Sequence, residues 1–129
     1  VRLLIGAIAA AIIATVGVGV LAYSAMTDEK ELRHPTQAQL RRALPELAAA
    51  ELKARGHPLK SPLTCTDMAG WTARKMRVQC TGQTAAGLPV EVYGAAEKDT
   101  VTEYFTILVD GRPVVQNAPC LAADCRSED

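Results

Sequence analysis

The stretch VTEYFTILVDGRPVV, residues 101–115, decides the fold. Val101 to Val109 is rich in Thr, Tyr, Phe, Ile and Val, side chains that suit a pleated, half-buried surface, and it carries the strongest strand signal in the chain. Asp110-Gly111 then has the composition of a tight hairpin turn, and Pro113-Val114-Val115 reads as the returning strand. Upstream, Met76, Val78 and Cys80 alternate with Arg77 and Gln79, and Val90 and Val92 alternate with Glu91 and Tyr93. That period of two belongs to strands with one buried face. Ala85-Ala86-Gly87 and Lys98-Asp99 supply the intervening turns. The expectation is a sheet of roughly four antiparallel strands.

Such a sheet needs cover for one face. Before the loop His57-Pro58 to Ser61-Pro62, the period is helical. Thr36 and Gln39 have capping-box spacing, Leu40, Leu44 and Leu47 recur at helical intervals, and Arg55-Gly56 supplies the stop. Glu51 falls on the apolar face. Pro45 cannot donate to the carbonyl of Arg41 and its ring clashes there, which predicts a kink or two abutting helices.

Further upstream, Leu3 to Ala22 is a run of twenty uncharged residues, enough at about 1.5 Å per residue to cross the roughly 30 Å hydrocarbon layer. Arg2 precedes it, and Asp28, Glu29, Lys30 and Glu31 follow. The positive-inside rule then keeps the N-terminus cytoplasmic and exports the rest. A cleaved signal peptide is the competing reading, since Ala22-Tyr23-Ser24 before Ala25 has the small-x-small pattern and cleavage after Ser24 would release a secreted protein. Ala7, Ala11, Thr15 and Gly19 recur every fourth residue, a small-residue stripe suited to helix–helix contact. The expected layout is a transmembrane anchor at 1–24, a tether at 25–35, an extracytoplasmic domain at 36–125 and a tail at 126–129. The fold class is α+β: an N-terminal transmembrane helix, then one kinked helix packed on the sheet.

The chain has 129 residues and no net formal charge, and beyond Arg2 it carries 14 acidic against 13 basic residues. This balance offers no electrostatic attraction for nucleic acid. With five aromatic residues, Trp71, Phe105, Tyr23, Tyr93 and Tyr104, the core rests largely on aliphatic side chains, and in a domain of this size covalent staples matter. Cys65, Cys80, Cys120 and Cys125 all fall in the exported part, where an even count favours disulfides. Of the three pairings, Cys65 with Cys80 and Cys120 with Cys125 join sequence neighbours.

Other chemistries lack their signatures. Zinc would want Cys-x2-Cys or paired histidines, and a redox pair would want Cys-x-x-Cys opening a helix; neither spacing occurs. Ser24, Ser61 and Ser127 lie outside any nucleophile elbow. His34 and His57 precede prolines in loops, and Asp67, Asp99 and Asp110 read as turn residues. No catalytic residue, cofactor or metal is expected. Two basic clusters, Lys53, Arg55, His57 and Lys60, and Arg74, Lys75 and Arg77, suit either phosphate headgroups or an acidic wall polymer. Their plainer reading is a helix C-terminus complementing its dipole and strand charges facing water.

At Cys65-Thr-Asp-Met, Met76-Arg-Val-Gln-Cys80-Thr-Gly and Gly87-Leu-Pro-Val-Glu-Val the chain resembles a family of small actinobacterial cell-envelope proteins of unknown function. The resemblance covers roughly residues 60 to 110. It implies a cystatin-like helix-plus-sheet domain and an envelope location, with no catalytic residues to carry over. This chain departs from the pattern in lacking a Pro after Cys65 and a Gly shortly before Cys80, and in adding a second cysteine pair. The functional expectation is a non-enzymatic, membrane-anchored interaction module of the cell envelope with a protein or cell-wall partner. The alternative is an accessory subunit of a membrane complex, held through the stripe of small residues.

Overall fold

Thr36 starts the main helix in extended backbone geometry, its hydroxyl accepting from the Gln39 backbone N–H at 3.2 Å and donating to Gln39 Oε1 at 3.1 Å. The computed structural model describes residues 31–126. Helix α1, Gln37–Ala54, runs without a break through Pro45. Its end is a Schellman motif: the Gly56 N–H bonds Lys53 O and the His57 N–H bonds Leu52 O, with Gly56 at φ +85°. One buried stripe, Leu40, Leu44, Ala48 and Leu52, spans both sides of the proline. A break at Pro45 would split that stripe, and the packing it provides holds the helix through the lost hydrogen bond.

The strands form an antiparallel meander in sequence order: β1 (Thr64–Asp67), β2 (Lys75–Gln83), β3 (Pro89–Glu97), β4 (Thr102–Val109) and β5 (Arg112–Ala118). A one-turn helix, α2 (Ala123–Arg126), follows. Met76, Val78, Cys80, Val90, Val92, Ala96, Phe105, Ile107, Val109 and Val115 are buried in one core with the α1 stripe. Gly94 lets the helix approach, because a Cβ there would lie 3.0 Å from Leu44 Cδ2. Asp110 and Gly111 both have positive φ, as a type I′ hairpin turn requires.

Three parts of the expected fold need correction. The sheet has five strands, not four: β1 is four residues long and mostly exposed, so it has no hydrophobic alternation to reveal it, and it exists by pairing Thr64 to Asp67 with Thr81 to Val78. The kink or divided helix at Pro45 is one continuous helix, for the packing reason above. Among the described residues no helix is long and apolar enough to cross a membrane, so the transmembrane element has no counterpart there; the anchor expected at 1–24 lies outside the described residues.

Gln37 fastens α1 to the sheet. Its buried amide donates to Arg77 O at 2.6 Å and to Asp67 Oδ1 at 3.0 Å, and accepts from the Arg77 N–H at 3.1 Å. One turn on, Arg41 pairs with Asp67 at 2.6 Å. Asp67, read as a turn residue, therefore ends β1 as the shared acceptor for two helix side chains.

Candidate functional site

Glu103 stands in β4 at the inward-facing position in phase with Phe105, Ile107 and Val109, and it is buried. A carboxylate there must be paired or hydrogen-bonded to remain ionised. His34 meets that need: its backbone N–H donates to Glu103 Oε1 at 3.0 Å, and its Nδ1 lies 3.5 Å from Oε2. On the other side, Nε2 lies 3.5 Å from Oδ2 of Asp124 in α2. The ring is thus held between two carboxylates from separate elements. Leu32 packs on the core beside it, so residues assigned to a tether from sequence form part of the domain wall.

The charges reinforce one another. The His34 pKa is raised, chiefly by the Glu103 carboxylate beside its ring; burial opposes this, the Asp124 charge adds to it, and Arg33 opposes it. For Glu103, burial pushes the pKa up, but the hydrogen bonds and positive charge of His34, helped by Arg33, outweigh it and the net direction is down. With both ring nitrogens turned toward carboxylates, His34 is arranged to clamp two elements together rather than to offer a free nitrogen to a substrate. Among the described residues no three His, Cys, Asp or Glu side chains are placed to hold a metal ion.

Two disulfides staple the domain, and the second lies in this region. Cys65 is bonded to Cys80, its direct cross-strand partner, and Cys120 to Cys125. The second bridge closes the turn that carries Ala122 and Asp124. The Ala122 N–H donates to Glu51 Oε1 at 3.3 Å, which gives the acid on the apolar side of α1 a partner in addition to Arg55. A depression of about 320 Å³ over this turn is lined by His34, Leu47, Ala50 and Asp124 among others.

A larger groove, about 650 Å³, runs along the other flank of α1. Pro45, Glu46, Ala49 and Lys53 form the helix wall, and Pro58 to Leu63 the facing wall. The first basic cluster divides here. Lys53 and Lys60 both line the groove, whereas Arg55 turns to Glu51 at 3.4 Å and to Val114 O at 3.0 Å. The second cluster disperses, with Arg74 on Asp99 at 2.5 Å and the Arg77 backbone on Gln37. Ala7, Ala11, Thr15 and Gly19 lie outside the described residues.

Sequence reading missed Glu103 and Gln37. Glu103 had a signal, an acid in phase with the apolar residues of the strongest strand. Gln37 had none, because its partners come from two strands well downstream.

Fold and site together define a disulfide-stapled α+β domain, one helix on a five-stranded meander with a histidine clamp at one flank and an open groove at the other. No protein-family model, curated protein or solved structure matches the chain.

Proposed function

We propose that the chain is a non-enzymatic interaction module of the cell envelope, working on the extracytoplasmic side of a membrane to which the apolar stretch Leu3 to Ala22 attaches it. The observation that carries this reading is the pairing of all four cysteines into two bridges, with no free thiol. Structural disulfides persist in oxidising compartments and are rare where glutathione keeps thiols reduced. The uncharged run from Leu3 to Ala22, with Arg2 before it and acidic residues after it, supports export of the domain in the same sense. The groove with its lysines supports a binding role, since it gathers positive charge and apolar surface in one place.

The test is protease accessibility of the full chain in intact cells with the outer layers removed, followed by non-reducing mass mapping. Digestion of the folded domain from outside, with both bridges intact, is the expected result. Protection until the membrane is broken, or four free thiols, overturns the reading.

A further inference from the structure

We propose that the groove between α1 and residues 58–63 binds an extended, acidic segment of a partner protein, its carboxylates on Lys53 and Lys60 and its apolar side chains on Ala49, Leu59 and Pro62. This deepens the interaction-module reading and rests on it.

The facing wall is built before any ligand arrives. The Lys60 N–H donates to Gln83 O at 3.0 Å, the Ala85 N–H donates to Pro58 O at 2.8 Å, and Leu59 bridges to Thr84. Leu63 is seated over Gly82, where a Cβ would come within 2.8 Å of its Cδ2. Pro58 and Pro62 fix two backbone φ angles in the same segment. A wall anchored to the end of β2 at this many points loses little freedom on binding, which is how preorganisation gains affinity.

The helix wall leaves the space. Ala49 presents only a methyl group between Glu46 and Lys53, and Pro45 lies beside it. Glu46 and Lys53 are seven residues apart, two helical turns or roughly 10 Å along the axis. At about 3.3 Å per residue that span matches three residues of extended chain.

The charges choose the occupant. Lys53 stands on the helix wall and Lys60 on the other, and among the described residues neither has an ion-pair partner. Two cations facing one apolar groove complement an anion carried on an apolar body. Glu46 at the other end gives the groove a direction, repelling a carboxylate there and favouring a positive or neutral flank. The groove is more open than enclosed, which suits a ligand that keeps one face in water better than an acyl chain or small molecule buried on all sides. An extended peptide, with its outer face in water, fits that shape.

The test is selection of random ten-residue displayed peptides on the full-length chain in phosphatidylcholine nanodiscs, with phosphatidylglycerol vesicles as the competing probe. The expected result is enrichment of Asp or Glu beside Leu, Val or Pro. Those peptides should bind at least tenfold more weakly to Lys53→Glu/Lys60→Glu, which should itself select Lys or Arg in place of the acids. Ala49→Trp fills the groove without altering charge and should weaken the same peptides; with Lys60→Glu, a loop variant, it decides the matter if the double variant does not fold. No enrichment, enrichment without acidic residues, equal affinity in the variants, or vesicles binding through Lys53 and Lys60 where peptides do not, each overturns the proposal. Any of these leaves the export of the domain standing, because the accessibility test above is independent of the groove.

Discussion

His34 and Glu103, 69 positions apart, are joined twice, by a 3.0 Å hydrogen bond from the histidine backbone N–H and by an imidazole–carboxylate pair at 3.5 Å. The contact ties the segment entering α1 to the inner face of β4. Because Asp124 faces the other ring nitrogen, the C-terminal disulfide turn is held at the same point.

Stability should therefore depend on pH on both limbs. The raised pKa of His34 means its contribution is complete below the ordinary histidine value, about 6.5, and is lost as pH rises through the raised folded value. The lowered pKa of Glu103 means its contribution is complete above the ordinary glutamate value, about 4.3, and is lost as pH falls through the depressed folded value. The urea midpoint should be highest between those two ordinary values, about 4.3 and 6.5. His34→Gln should flatten the alkaline limb; an unchanged alkaline slope in that variant would rule out His34 as its source.

Replacing Glu103 separates charge from hydrogen bonding. Glu103→Gln retains an acceptor for the His34 N–H, while Glu103→Ala leaves that donor without one and should cost about 2 kcal/mol. Equal urea midpoints for the two variants near pH 5.5 would show that the backbone bond contributes nothing. The pH is chosen to lie inside the window set by the two shifts.

The two bridges should differ in weight. Loop closure predicts a loss of about 3 kcal/mol for Cys65→Ala/Cys80→Ala and about 2 kcal/mol for Cys120→Ala/Cys125→Ala. Loss of the second bridge should also shrink the alkaline limb, since it frees the turn that presents Asp124 to His34. Paired denaturation curves across pH check both; an alkaline limb of full size without Cys120–Cys125 would contradict the link.

Gln37 is the buried polar pin between helix and sheet. Gln37→Leu keeps similar bulk but leaves the Arg77 N–H without its partner, and should cost about 2 kcal/mol. A thermal midpoint within a degree of the parent's would show that water replaces the amide.

Val101 is an exposed β-branched residue held at φ +51° in the turn between β3 and β4. Left-handed backbone costs such a residue roughly 1–2 kcal/mol, and Asn tolerates it better. Val101→Asn should raise stability by about 1 kcal/mol. A lower urea midpoint would mean that Val101 makes a contact worth more than the strain.

Local chemistry was legible where the code is local. Thr36 with Gln39, Arg55-Gly56, Asp110-Gly111 and the alternation at Met76 to Cys80 each carry their own reading, because capping, turn geometry and pleat depend on neighbours in the chain. Val101 is an instructive exception: composition assigns it to the strand, but its backbone belongs to the turn. The clamp was not legible, because His34 looks like any loop histidine until β4 brings Glu103 beneath it.

From sequence alone came an α+β chain with a helical stretch expected to kink at Pro45, the main strand hairpin and four cysteines suited to two short loops, since periodicity and spacing are properties of the chain itself. Tertiary structure decided that β1 exists, that Pro45 does not end the helix, and that Lys53 and Lys60 share a groove while Arg55 does not. Those outcomes depend on burial and pairing between residues far apart, and such energies are felt only once the helix has settled on the sheet.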